Sequence, residues 1–258
     1  SRQGTNILTK YDGRLISNVT VSKIYEIFDF PRITKDIVEQ IENYFTPDTY
    51  ILKITKGQQE LRLIGEEVLI HGDKYKKMFN VLNSTDKSRA LQMSVGLIRL
   101  TNKSGFISTN DDYTGFVNKH YTSSLPGKVE GFLDNLKDFE IVVQYQIDTL
   151  TELMNKTVSF KELVEHIVTD KKGLVSANQL LKLKAFSSII RYKIDYKSLS
   201  SEEYTLLRSP QFFNKEEFVN VDFRLNAYQV MVSWIEVFKN YDSSVIRRET
   251  NRVLEIIK

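Results

Sequence analysis

The chain has 258 residues, of which 41% are apolar and 27% charged, a composition typical of a globular protein and not of a disordered one. It contains no cysteine, which excludes disulfides, thiolate metal sites and a cysteine nucleophile. The net charge is +3, and the excess lies in residues 1–128, which hold 18 Lys and Arg against 14 Asp and Glu. Such an excess favours an anionic partner, and nucleic acid is a common one.

The first elements predicted along the chain are a short helix and a β-hairpin. Residues 34–45 show the helical spacing of apolar side chains, with Thr34 as the expected N-cap. The hairpin follows directly and turns at residues 56–58. Its apolar face carries Leu52, Ile54, Leu61 and Leu63, and its polar face carries Lys53 and Arg62.

A second hairpin and a further strand complete the predicted sheet. The hairpin turns near Gly72 and Asp73, and Lys74, Lys76 and Lys77 cluster beside the turn. In the strand, Leu91, Met93, Val95 and Leu97 alternate with Gln92, Ser94 and Gly96.

Two arginines bracket this last strand. By the strand's parity, Arg89 and Arg99 point to the apolar face at its opposite ends. Each would pair with a carboxylate at the rim of the sheet or present its guanidinium group to an anion.

The second half of the chain has a helical pattern. Residues 128–156 predict one long amphipathic helix, and Ser159 and Glu162 predict a capping box at the start of the next helix. Another helix is predicted over residues 176–193, and two more lie near the C-terminus.

Strands followed by helices predict an α+β fold, in which the helical C-terminal half covers an antiparallel sheet in the N-terminal half. The sheet is expected from about residue 48 to 122. We expect a mainly β subdomain over residues 1–126 and a helical subdomain over residues 127–258, sharing one core.

Residues 171–197 are locally basic, with seven Lys and Arg against Asp195 alone. On a helical wheel, however, Lys182 and Lys193 share one side, whereas Lys184 and Arg191 share the opposite side. Apolar residues occupy the remaining directions. This pattern predicts a helix packed on several sides whose lysines extend outward to water, not one basic stripe.

Catalytic motifs are missing from the sequence. It lacks the phosphate loop, the dinucleotide-binding glycine motif, the HExxH zinc motif and the GxSxG elbow. We expect no catalytic residue, no metal and no cofactor, although a site assembled from dispersed carboxylates stays open.

Single-stranded nucleic acid is the partner that the first half favours. Binding of single strands needs cations for phosphates and aromatic rings on which bases stack. The predicted cationic contacts are Lys53, Arg62, Lys74, Lys76, Lys77, Lys103, Lys119 and His120, and the predicted stacking residues are Tyr75 and Tyr121.

Residues 83–106 resemble the central motif of a family of phage/plasmid-like proteins, a domain of unknown function. Asn83, Ser84, Asp86, Ser88, Gly96 and Arg99 match that motif in order. "NKHY" with Lys119 and His120, and "RLNAYQVMVSWIEV" near the C-terminus, are similar to later segments of the family. The family's cysteine is absent, and Lys87 replaces its turn glycine. The resemblance implies a mobile-element protein encoded near DNA-processing genes, and it supplies no activity.

Together these observations predict a non-catalytic protein that binds single-stranded nucleic acid, with annealing or protection of single strands as its role in a phage or mobile element. The alternative is a virion or phage-assembly component that binds other phage proteins or itself. No apolar run approaches the roughly 18 residues of a membrane span and no segment resembles a signal peptide, so we expect no membrane partner. The expected location is the cytoplasm, which means the host cytoplasm or the virion for a phage protein.

Overall fold

The computed structural model describes residues 5–11, 14–21, 30–55, 58–84, 90–108, 115–118, 125–168, 177–190, 200–202, 205 and 224–257. In chain order the elements are β1 (Thr5–Tyr11), β2 (Arg14–Val21), α1 (Phe30–Ile41), β3 (Thr49–Thr55), β4 (Gln58–Ile70), β5 (Asp73–Ser84), β6 (Leu91–Arg99), β7 (Gly105–Phe106), β8 (Gly115–Asn118), α2 (Leu125–Asp134), a 3₁₀ helix (Asn135–Asp138), α3 (Phe139–Leu153), β9 (Thr157–Ser159), α4 (Phe160–Val168), α5 (Ala177–Ile190), β10 (Arg224–Asn226), α6 (Ala227–Val237) and α7 (Ser243–Ile257).

The chain forms two compact units. The first comprises Ser1–Thr101, Ile107–Gln146 and Asp242–Ser244, and the second comprises Asn102–Phe106, Ile147–Tyr241 and Val245–Lys258. The predicted subdomains, 1–126 and 127–258 with a common core, stay a prediction.

The first unit contains an antiparallel sheet with the strand order β3-β4-β5-β6, and β8 pairs with the first half of β6. β1 and β2 form a separate antiparallel hairpin. The predicted α+β fold, with an antiparallel sheet followed mainly by helices, is confirmed.

Both predicted turns of the sheet are present. Thr55 pairs with Gln58, so the first hairpin reverses direction between these two residues. The second turns at His71 and Gly72, whose φ angles are 51° and 80°. Positive φ at both central residues is the requirement of the type I′ turn, whose twist matches that of the flanking strands.

The core of the first unit lies between the sheet and the helices that follow it. Leu63, Phe79 and Val95 are paired across three neighbouring strands and therefore face the same side. The ring of Phe79 lies 6.5 Å from that of Phe132 in α2. Gln146 Nε2 in α3 donates to the backbone oxygen of Val95 at 3.1 Å. Helices of this unit therefore cover the apolar face, as predicted.

A β-bulge in β4 lets the chain fold closely over the sheet. Gly65 and Glu66 together lie opposite Lys77, because the register shifts between Ile64 and Glu67. A Cβ atom on Gly65 would lie 2.5 Å from the ring of Phe45 and 2.7 Å from the backbone oxygen of Thr46. Only glycine leaves room for that approach.

Two predicted helix boundaries are wrong. The first helix begins at Phe30, so Thr34 lies inside it and does not cap it. The single helix predicted over residues 128–156 is two helices with a 3₁₀ helix between them at Asn135–Asp138. Asp and Asn have low intrinsic helix propensity, and three of them occur at this interruption in the sequence DNLKD.

The second unit is mainly helical. Its β9 and β10 form a short antiparallel pair. The Oγ atom of Ser159 accepts from the backbone amide of Glu162 at 3.2 Å, which confirms the predicted N-cap of α4. Asn226 caps α6 in the same way by accepting from Gln229 N. Across the described helices of the chain, none is long and apolar enough to cross a membrane.

Candidate nucleic-acid interface

The three predicted lysines of β5, Lys74, Lys76 and Lys77, each form an ion pair with a carboxylate. Lys77 Nζ lies 2.7 Å from Glu66 Oε2 and 2.7 Å from Glu140 Oε2. Burial works against the charge of Lys77, but its hydrogen bonds to Glu140 and Glu66 outweigh burial and raise its pKa. Lys76 Nζ lies 2.5 Å from Asp48 Oδ2, and this bond lowers the pKa of Asp48. An anion would have to compete with these carboxylates for these lysines.

Arg62 lies in a buried polar band on the second face of the sheet, so the prediction of an accessible polar face there is wrong. Its Nη2 donates to both carboxylate oxygens of Glu60 at 3.1 Å. Glu60 Oε1 also accepts from the backbone amide of Ser243 at 3.0 Å. On the next strands, Asn80 Nδ2 donates to Ser94 Oγ at 3.1 Å. The alternation of residues identifies this face, but it does not show that other residues cover it.

Tyr75 is not available for stacking. It is 1% exposed, so its ring offers no surface to a base, and the prediction that it stacks is wrong. Its parity places it on the same face as the buried Phe79, where it packs as a core residue. The neighbouring Lys74 is exposed, and its Nζ lies 3.0 Å from Glu67 Oε1.

The remaining predicted contacts that the structure describes, Lys53 and Lys103, belong to different units of the chain. Lys53 is exposed on β3 in the first unit. Lys103 is exposed in the second unit, in a turn where its φ is 57°. Asn102 stabilises that turn by accepting from the backbone amide of Ser104 at 3.1 Å. The other predicted contacts, Lys119, His120 and Tyr121, lie outside the described residues.

The motif residues lie within and beside the sheet. Asn83 and Ser84 are buried at the end of β5, and Gly96 is buried in β6. Asp86 and Arg89 lie outside the described part of the chain. The side chains of Asn83 and Ser84 therefore do not face solvent, and Arg99, the fourth described motif residue, is 11% exposed.

Arg99 forms the ion pair that was one of its two predicted roles. Its Nη2 lies 2.6 Å from Asp73 Oδ2, and both side chains are mostly buried. Arg99 is paired in register with Tyr75, two residues from Asp73. Diagonal neighbours on one face of a sheet are within reach of a long side chain. The arginine therefore joins the second hairpin turn to the end of β6.

A different group of cations and aromatic rings lies in the second unit. We call it the α5–α7 cluster, and it consists of Lys182, Phe238, Tyr241, Arg248, Glu249 and Arg252. Lys182 Nζ lies 4.9 Å from the ring centroid of Phe238 and 5.9 Å from that of Tyr241. The two rings contact each other at 5.4 Å. Phe238 is fully buried, whereas Tyr241 is 45% exposed, so Tyr241 is the ring that a ligand can reach.

Two arginines of this cluster pair with the Glu249 carboxylate, which also acts electrostatically on Lys182. Arg248 donates from Nε and Nη2 to Glu249 Oε1 at 3.1 and 3.0 Å, and Arg252 Nη1 lies 4.0 Å from Glu249 Oε2. Burial lowers the pKa of Lys182; the Glu249 carboxylate acts in the opposite direction, and the guanidinium groups of Arg248 and Arg252 lower the pKa further. The positive charge of the cluster thus exceeds its negative charge.

Arg252 also has a structural role. Its Nη2 donates to the backbone oxygens of His166 and Ile167 at 2.8 Å each. These carbonyls belong to the last turn of α4, where backbone oxygens lack partners within the helix. The cations of the cluster nearest to an external anion are therefore Lys182 and Arg248, and an anion at the largely exposed Arg248 would share its guanidinium group with Glu249.

Sequence reasoning missed the α5–α7 cluster. It assigned Lys182 to a helix packed on several sides, which is compatible with the structure, and it gave no role to Arg248 and Arg252. These arginines are four residues apart and thus neighbours on one helix, and Tyr241 precedes that helix; this pattern could have identified half of the cluster. Nothing in the sequence places Lys182 beside Tyr241.

Comparison of the chain with protein-family models, with curated proteins and with solved structures finds no match. The resemblance of residues 83–106 to the phage/plasmid-like family stays a prediction. Within the described ranges, no group of three or more His, Asp or Glu side chains could hold a metal ion.

Proposed function

We propose that this chain is a non-catalytic single-stranded nucleic-acid-binding protein of a phage or related mobile element, and that the α5–α7 cluster is its contact surface. The observation that carries the proposal is the position of Lys182 beside the exposed ring of Tyr241, with Arg248 in the same cluster. The mobile element is the part of the proposal that depends on the sequence resemblance alone.

The chemistry of the cluster suits a single strand. An exposed tyrosine ring can stack on any base, and stacking contributes about 1–3 kcal/mol per base. The ammonium of Lys182 and the guanidinium of Arg248 can each contact a phosphate beside that base. Because burial and two like charges disfavour the protonated form of Lys182, a bound phosphate would relieve that cost. A duplex, whose bases are stacked inside, cannot use Tyr241 in this way.

The proposal is tested by titrating labelled single-stranded DNA, single-stranded RNA and duplex DNA with the protein at two salt concentrations. Two phosphate contacts predict a log–log slope of affinity against salt of about −1.4 on single strands. We expect single strands to bind more tightly than duplex. Absence of binding to every probe at low salt would refute the proposal and favour the assembly component predicted as the alternative.

Matched variants locate the contact. Tyr241→Ala should weaken binding by about five- to 150-fold, the equivalent of one lost stacking contact. Tyr44→Ala is its control, because Tyr44 is a similarly exposed tyrosine, at 42%, in the first unit. Lys182→Met should reduce the salt slope by about 0.7, whereas Lys35→Met, at an exposed lysine of α1, should leave it unchanged. Equal losses in variants and controls would remove the cluster from the proposal.

A further inference from the structure

The outer edge of the sheet exposes three consecutive apolar residues. β3 is the end strand of the order β3-β4-β5-β6, and its described pairing is with β4 alone. Tyr50, Ile51 and Leu52 are 51%, 42% and 51% exposed. Leu63 and Leu61, which lie opposite Tyr50 and Leu52 on β4, are buried. The exposed apolar surface is therefore confined to the edge strand. Folded proteins usually protect such an edge with charges, prolines or bulges; β3 has one charge, Lys53, no proline and a regular register over all seven residues.

We propose that β3 pairs antiparallel with β3 of a second copy of this chain, about a two-fold axis at Leu52. This inference goes beyond nucleic-acid binding and does not depend on it. A two-fold axis perpendicular to the sheet leaves each side chain on its own face, so a residue can lie opposite only a residue of the same parity. Among such registers, the one centred on Leu52 is the one that pairs all seven residues of β3.

The side chains are complementary in this register. On one face Leu52 lies opposite its own counterpart and Tyr50 lies opposite Ile54, which forms a continuous apolar row. On the other face Ile51 lies opposite Lys53, so the alkyl part of the lysine covers the isoleucine and the two Lys53 charges do not face each other directly. A hydrogen bond from Tyr50 Oη to Glu42 Oε1, at 2.8 Å, already orients the outermost ring of the row.

The expected dimer is weak. One pair of seven-residue strands buries less than the roughly 1,200 Å² that marks the lower end of stable interfaces. The backbone bonds of the joined edges supply the pairing, as in other cases of strand addition. We therefore expect association in roughly the micromolar range, with rapid exchange.

Cysteine cross-linking tests both the dimer and its register, because the chain has no cysteine of its own. Directly opposite residues of an antiparallel pair have Cα atoms about 4.5–5.5 Å apart, which suits a disulfide. Leu52→Cys should therefore form a covalent dimer under mild oxidation. Lys53→Cys should do so much less, since its counterparts are diagonal at about 7–8 Å. Leu69→Cys, at a 66% exposed leucine in β4, gives the background of random collision.

The outcomes separate the possible occupants of the edge. Concentration-dependent dimerisation of the unmodified chain in sedimentation velocity, together with selective cross-linking of Leu52→Cys, supports the proposal. Equal cross-linking of Leu52→Cys and Leu69→Cys would overturn it and leave the edge to a strand from another protein. Stronger cross-linking of Lys53→Cys than of Leu52→Cys would overturn the register. Circular dichroism of each variant checks the fold, and oligonucleotide titration of the same samples reports the α5–α7 cluster separately.

Discussion

The cations of the sheet and those of the α5–α7 cluster differ in how they are compensated. In the sheet, Lys76 and Arg99 each form an ion pair with one carboxylate, and Lys77 forms ion pairs with two. In the α5–α7 cluster, Lys182, Arg248 and Arg252 share Glu249. Each of these three described cations of the first unit is thus already paired with at least one carboxylate. A count of charges along the chain therefore does not locate the charges that an anion can reach.

The comparison predicts that sheet cations stabilise the fold, with the largest effect at Arg99. Arg99→Ala would leave Asp73 mostly buried without its guanidinium partner. We expect the free energy of unfolding to fall by about 3–5 kcal/mol, measured by urea denaturation. Oligonucleotide affinity should be unchanged in the fraction that remains folded. An unchanged melting temperature with weakened binding would instead assign Arg99 a direct role in binding.

The next largest effect is expected at the bulge that brings Glu66 to Lys77. Gly65→Ala would place a methyl group within 2.7 Å of a backbone oxygen, so the bulge would have to shift. We expect a loss of about 2–3 kcal/mol in the free energy of unfolding. Gly131→Ala is the control, because nothing lies within 4 Å of its new methyl group. This exposed helix position should gain about 0.5–1 kcal/mol. Equal effects at both glycines would contradict the close approach of Phe45.

A smaller loss is expected for Lys77→Met, which should lower the free energy of unfolding by about 1–2 kcal/mol. The loss is moderate because the two carboxylates left without Lys77, those of Glu66 and Glu140, are largely exposed to water. The raised pKa of Lys77 means that its stabilisation is fully present below the ordinary value of 10.5 and is lost as pH rises through the higher folded-state pKa. The difference between the unmodified chain and the variant should therefore be constant from pH 7 to about pH 9 and shrink at higher pH. Denaturation curves at several pH values measure it.

The smallest effect on stability is expected at Lys182. The pKa of Lys182 is lowered by folding, whereas that of Lys77 is raised, so the pH dependence of stability is reversed. The fold disfavours the protonated form of Lys182, and stability therefore rises as pH increases from the folded-state pKa toward 10.5. Lys182→Met keeps an apolar contact with Phe238 and removes a like charge from the two arginines. We expect its free energy of unfolding to change by no more than about 0.5 kcal/mol. A larger loss than that of Lys77→Met would reverse the comparison between the two regions.

The sequence predicted the sheet better than it predicted the candidate site. The reversal between Thr55 and Gln58 and the turn at His71 and Gly72 follow from local residue types, and so does the cap at Ser159. The prediction that Tyr75 stacks on a base was wrong because a tyrosine among lysines has the same local sequence pattern whether it is exposed or buried. The prediction of an accessible polar face at Arg62 was wrong because periodicity does not show which residues pack on that face.

By itself, the sequence determined the α+β order of elements, the approximate positions of the two hairpin turns and the absence of cysteine chemistry, since these depend on residues that are near one another in the chain or on composition. Tertiary structure alone decided which charges are neutralised. Lys77 meets Glu140, and Lys182 meets Tyr241, across separations of many residues. Such pairings depend on how the elements pack, and no periodicity within a single element records them.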